Sequence, residues 1–112
     1  MILRRVYPDP VESFELDAET TRDRLLQLYQ LPGARSTRLN MVTSVSGSAA
    51  GVDGTSETLT SKTDRRILGV IRELSDVVLV GAASVRAEGY QLPRRSRLAI
   101  LTSSGNLSGH RL

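Results

Sequence analysis

Cysteine and tryptophan are absent from this chain of 112 residues, and lysine, histidine and phenylalanine each occur once. Without cysteine there are neither disulfides nor thiolate metal ligands. One histidine leaves no ligand set for a transition metal. That residue, His110, sits in a polar tail, and a Ser-His-Asp triad would depend on it alone. One Phe and three Tyr are too few for the stacking platforms of single-strand nucleic-acid binders. There is no P-loop and no GxGxxG following a strand. No stretch approaches the ~20 apolar residues of a membrane span. The start, Met1-Ile2-Leu3-Arg4-Arg5, lacks the apolar core of a signal peptide. These absences lead us to expect a cytoplasmic protein without metal, membrane or nucleic-acid partners.

What is present is ordinary for a globular protein. The hydrophobic share is 39% and the charged share 24%, and the length fits one small domain or a piece of a larger one. The net charge is +3 and almost all of the positive charge is arginine. The pairs Arg4-Arg5, Arg65-Arg66 and Arg94-Arg95 are interspersed with acids and form no concentrated basic face. A few arginines still suit a phosphorylated small molecule, because the guanidinium fork matches phosphate geometry.

Along the chain, residues 1–16 carry Pro8 and Pro10 with no clear period and read as an extended arm. Asp17 is a good N-cap with Glu19 in the first turn. Leu25, Leu26, Leu28 and Tyr29 then predict a helix over 18–31, stopped by Pro32-Gly33 within a 17–33 segment. Leu39, Met41, Thr43 and Val45 alternate with Asn40, Val42 and Ser44, as in a strand. Residues 47–56 are a loop whose small side chains would admit a ligand or another backbone. Ser61-Lys62-Thr63-Asp64 resembles a capping box with Asp in place of Glu, and Ile67, Leu68, Val70, Ile71 and Leu74 predict a helix over 62–74. Val77–Val80 suits a strand buried on both faces of a parallel sheet. Ser84 is positioned to cap a short helix running through Glu88. Leu98–Thr102 reads as a further short buried strand, and 103–112 as a loose polar tail.

This order is βαβ, so the fold class is α/β with a mainly parallel sheet flanked by helices. Three parallel apolar strands need cover on both faces and both edges, and the helices available are too few. The pattern therefore predicts an incomplete assembly within residues 38–102.

Ligands of open α/β sheets bind beyond the carboxyl ends of the strands. Two such ends stand out: Ser44-Val45-Ser46-Gly47, and Val80-Gly81-Ala82-Ala83-Ser84 at a helix N-terminus. The second is compatible with phosphate binding and equally with a plain tight turn and cap.

The run Leu39-Asn40-Met41-Val42-Thr43-Ser44-Val45-Ser46-Gly47-Ser48-Ala49-Ala50 resembles the opening strand and loop of the RibD C-terminal domain family. The likeness continues through Gly54-Thr55-Ser56-Glu57-Thr58-Leu59-Thr60-Ser61, Asp64-Arg65-Arg66 and the stretch from Leu74 to Tyr90, and ends at Leu98-Ala99-Ile100-Leu101-Thr102. The resemblance implies a dihydrofolate-reductase-like fold and a homodimer. It implies an NADPH-dependent reductase of riboflavin synthesis, acting on a ribosylamino-pyrimidine phosphate or a related pyrimidine or pterin. Hydride would pass directly from the cofactor to the substrate.

By the same resemblance, Val42, Thr58, Ser84 and Glu88 fall at cofactor contacts, with Gly81 and Ala82 at the same strand end. Ser56, Arg72, Leu92 and Arg95 fall at substrate contacts, together with Asn40 and Ser46. No catalytic residue is implied. From pattern alone, Arg72 also reads as an exposed helix charge.

Ser46 stands where the family typically has Asp, Asn40 where the riboflavin-pathway members tend to have Lys, and Glu88 where Asp is frequent. Serine cannot supply the negative charge of that Asp, which suggests a different substrate or a non-catalytic paralogue. A basic interaction module is the remaining alternative. Family domains also extend well beyond the position matched by Leu112, so the sequence reads as an N-terminal portion expected to be inactive alone.

Overall fold

The computed structural model describes residues 2–15 and 19–112. It is a small α/β structure with two short two-stranded sheets. Strands β1 (Ile2–Arg5) and β2 (Glu12–Glu15) form an antiparallel hairpin in which Leu3 faces Phe14 across the strands. The expected extended arm is therefore a hairpin. The prolines lie in the connection, where no ladder N–H is required of them.

Helix α1 spans Thr21–Tyr29 and ends before Leu31-Pro32-Gly33. Its N-cap position is Thr20, and Asp17, the expected cap, lies outside the described residues. Thr21 is buried, and its hydroxyl donates to the Glu15 carbonyl, which fastens the hairpin to the helix.

Helix α2 spans Lys62–Glu73. Ser61 caps it by accepting from the Asp64 backbone N–H at 3.1 Å. The Asp64 carboxylate takes the Thr60 hydroxyl at 2.6 Å. One face of α2, carrying Ile67 and Val70, packs on Leu25 and Leu26 of α1 and on Leu3 and Phe14 of the hairpin. Leu25 is fully buried at the centre of this core. Burying a leucine fully is worth about 1.5–3 kcal/mol relative to exposure.

Strand β3 (Val77–Gly81) leads directly into α3 (Ala82–Ala87), and β4 (Arg97–Leu101) returns parallel to β3 with Val77 opposite Arg97 and Gly81 opposite Leu101. This is the expected βαβ crossover. Three details differ from the sequence reading. The strands are covered on one face only, with Val77, Leu79 and Leu101 exposed. Ser84 lies inside α3, its carbonyl accepting from the Glu88 N–H at 2.8 Å, while Gly81 occupies the cap position. The helix begins as soon as the strand ends, which leaves Ser84 no N-cap role.

The third difference is larger. Residues 39–45 form no strand, so the parallel sheet has two strands, not three. A strand is defined by its ladder, and alternation without a bonded partner does not make one. Leu39, Met41 and Val45 remain exposed as a result. The tail, by contrast, is not loose. Arg111 donates its backbone N–H to the Val85 carbonyl at 3.0 Å and its guanidinium to the Ala87 carbonyl at 3.1 Å. Arg86 in turn reaches the Asn106 carbonyl at 3.2 Å. The carbonyls at the end of α3, which lack helical partners, are what hold the tail.

Candidate active site

A cavity of about 610 Å³ opens between α2, the middle of β3, residues 40–42 and the segment following α3. That volume lies within the usual range for small-molecule sites. The second face of α2 builds one wall. Arg65, Leu68, Gly69 and Arg72 recur at i, i+3, i+4 and i+7, and so share a side of the helix. Ile67 and Val70 point the other way, into the core. One amphipathic helix thereby supplies both the packing face and the site wall.

Five of the residues expected at ligand contacts line this cavity: Asn40, Val42, Ser56, Arg72 and Glu88. Arg72 is not an exposed helix charge. It is half-buried, and its guanidinium carbon lies 4.8 Å from the centre of the Tyr90 ring, in reach of a cation–π contact. Its Nε is buried with no hydrogen-bond partner. A buried donor left unpaired costs about 1–3 kcal/mol, so Arg72 is an unsatisfied group at the edge of a cavity. Its main chain is fixed by the Ser96 hydroxyl, which donates to the Arg72 carbonyl at 3.1 Å.

Glu88 plays a different part. Its Oε1 accepts both the Ser56 backbone N–H at 3.1 Å and the Ser56 hydroxyl at 2.9 Å. This pair joins the loop before α2 to the end of α3 and closes one side of the cavity.

The loop itself is internally braced. Asp53 accepts from the Thr55 N–H at 3.0 Å, from the Thr55 hydroxyl at 2.9 Å and from the Thr58 hydroxyl at 3.2 Å. The Thr55 backbone bond, reinforced by the hydroxyls, holds the Asp53 carboxyl below its ordinary value of 3.8. A Cβ on Gly51 would meet Thr58 Oγ1 at 1.6 Å, so glycine is required for the loop to fold against its own threonine. The small residues here admit a neighbouring side chain of the same loop.

The remaining expected residues are elsewhere. Thr58 is engaged with Asp53. Gly81, Ala82 and Ser84 do not line the cavity, which runs along Leu79 and Val80 and not beyond the strand end. Ser46 is exposed in a turn, its hydroxyl 2.9 Å from that of Ser44, and Leu92 is exposed. Arg95 is bound at 2.9 Å by Glu73, which also holds Arg22 of α1 through both oxygens. Ser46 follows no strand, and neither Ser46 nor Gly81 lines this cavity, so the expected crevice shared by two strand ends is not what forms it.

Sequence reasoning missed Asp64, Arg65, Tyr90 and Met41. Arg65 had a readable signal, since it stands one heptad before Arg72 on the same helix face. Tyr90 had none, because only the fold brings it over Arg72.

The cavity carries two arginines, Arg65 and Arg72, and three carboxylates, Glu57, Asp64 and Glu88. Such a mixture suits a ligand with both an anionic group and several N–H donors. Among the described residues no helix is long and apolar enough to cross a membrane.

Comparison with curated proteins and with solved structures gave no match. The model of one family, the RibD C-terminal domain, matches residues 35–105. That span contains α2, β3, α3, β4 and every residue lining the cavity. More than half of the sequence is covered, and the chain belongs to the RibD C-terminal domain family.

Proposed function

We propose that this chain is part of an NADPH-dependent reductase with a dihydrofolate-reductase-like fold, acting on a ribosylamino-pyrimidine phosphate of riboflavin synthesis or a related pyrimidine or pterin. The observation that carries the reading is the family-matched cavity walled by Arg65 and Arg72, with a buried guanidinium nitrogen awaiting a partner.

The donor set fits such a substrate. Arg65 and Arg72 offer cationic forks to a phosphate, and the carboxylates of Glu57 and Asp64 accept from exocyclic amino groups. The fit to the cofactor rests on Met41, Val42 and Leu79, which give an apolar wall, and on Tyr90, which gives a flat one. When bound, NADPH supplies the hydride. The chain's own residues orient and enclose: Ser56 and Glu88 lock the loop against α3, and Arg72 fixes the anionic group. The cofactor-contact roles of Thr58, Gly81, Ala82 and Ser84, and the substrate-contact roles of Leu92 and Arg95, lie outside this cavity and form no part of the proposal.

One observation favours a second reading, a non-catalytic paralogue. Ser46, where the family has an acid, is exposed and bonded to Ser44, away from the cavity.

Titration of NADPH fluorescence tests the first reading. We expect saturable enhancement of the NADPH signal, and an affinity for the phosphorylated substrate that Arg72→Gln weakens about tenfold, the scale of one lost charge-assisted bond. Oxidation of NADPH on addition of the ribosylamino-pyrimidine phosphate is expected from a version extended to full family-domain length and not from these 112 residues alone. Nucleotide binding without turnover by the extended version would favour the paralogue. Absence of nucleotide binding would remove the reductase reading.

A further inference from the structure

A second cavity, of about 440 Å³, lies between the hairpin and α1, outside the family-matched span except for Arg38. Its apolar lining includes Phe14, Leu28 and Tyr29, and its charged lining Arg4, Arg5 and Arg38, with no acidic residue lining it among the described residues. Leu28 and Tyr29 lie within one turn of α1, and Phe14 projects from β2 towards the same helix.

The three arginines are not equivalent. Arg38 stands 5.3 Å from the centre of the Tyr29 ring, and its Nη2 donates to the Tyr29 carbonyl. It thus caps the end of α1, whose last turn carries no basic residue of its own. Arg5 uses Nη2 on the Pro10 carbonyl at 2.9 Å and on Glu12 at 3.4 Å, while its Nε is buried with no partner. Arg4 is exposed at the rim.

We propose that this cavity is a binding site for a small aromatic carboxylate. Arg5 is paired with Glu12, but Arg4 and Arg38 add cations with no acid among the described lining residues, and this excess of positive charge selects an anion. The walls of Phe14, Leu28 and Tyr29 select a flat apolar body. Arg38, whose Nη2 is held on the Tyr29 carbonyl at the cavity wall, and the exposed Arg4 at the rim supply guanidinium donors that match a carboxylate. The assignment is independent of the reductase reading, since it uses neither α2 nor the residues of the first cavity.

The test uses 2-naphthoate as probe, 2-naphthamide as its neutral counterpart and the whole chain as protein. Binding is followed by calorimetry and mapped by amide chemical shifts. We expect 2-naphthoate to bind saturably and at least about tenfold more tightly than the amide. Arg38→Gln should weaken it by a similar factor in a variant that still folds, with an unfolding midpoint lowered only modestly by loss of the bond to the Tyr29 carbonyl. The shifts should fall on residues 3–8, 14 and 28–38. Equal binding of acid and amide, or unchanged affinity in a folded Arg38→Gln variant, would overturn the proposal. Should that variant not fold, the shift map of the parent decides: changes centred on residues 40–42, 65–72 and 88–91 place the probe in the other cavity and equally overturn it.

Discussion

The two halves of the molecule use similar apolar residues to different ends. In the first, Leu25, Val70, Ile67, Leu3 and Phe14 close a core between the hairpin, α1 and α2. In the second, β3 and β4 pair with each other but leave Val77, Leu79 and Leu101 facing solvent, with Leu79 and Leu101 each 68% exposed. The difference is one of partners. The helices and hairpin present stripes that meet, whereas the parallel pair has α3 on one face and nothing described on the other. Each side buries its own residues, Leu25 on the helical side and Val85 of α3 on the sheet side, but only the sheet side leaves one face uncovered among the described residues. The site draws its charged wall from the helical side and its apolar floor from the less covered one.

The comparison breaks first at Leu25. Leu25→Ala should cost about 2–5 kcal/mol, the range for truncating a fully buried leucine, read as a fall in the denaturant midpoint. A cost below ~1 kcal/mol would mean that the helical core is not where the chain is held.

Removing the α2 cap comes next. Ser61→Ala should cost about 1 kcal/mol by the same measurement, because the Asp64 N–H loses its acceptor. The rigid wall that carries Arg65 and Arg72 would fray from that end.

Glu73→Gln should cost less, about 0–1 kcal/mol, since its partners Arg22 and Arg95 are largely exposed. A loss that shrinks in high salt would sharpen the point that α1 and α2 are joined by packing more than by charge.

On the sheet side, Leu79→Ser should move the midpoint by no more than about 0.5 kcal/mol, as for other exposed positions. A large loss there would show that the outer face of β3 is covered in solution.

The loop before α2 responds to pH alone. Asp53 is depressed in the folded state, so its contribution is present above the ordinary value of 3.8 and fades as pH falls through the lower folded value. Asp53→Asn should abolish that acid-side change in the amide signals of Thr55 and Thr58, and a change surviving the substitution would assign it elsewhere.

How much of this was legible follows from the range of the forces involved. Helix α2 was readable almost to the residue because its cap, Ser61, and its apolar period are local. The β3–α3–β4 unit was readable for the same reason, as a short apolar run, a tight exit and a second run. The hairpin at 2–15 was hidden by Pro8 and Pro10, which look like an arm until the strands on either side pair. Residues 39–45 misled in the opposite direction, because alternation is local but the partner that makes a strand is not. Within the site, Arg72 was reachable from the family pattern and Arg65 from helical spacing. The Arg72–Tyr90 contact and the Ser56–Glu88 bonds join residues far apart in sequence, and only the fold creates them. Arg95 shows the converse: a residue expected at substrate is claimed by Glu73 at the end of α2.

Hydrogen exchange of the whole chain with and without NADPH tests the central claim most directly. The account predicts slowed exchange at residues 40–42, 56–60, 65–72 and 88–91 on addition of nucleotide, with the hairpin and α1 unchanged. Protection that falls on the hairpin and α1 instead, or none anywhere, would contradict it.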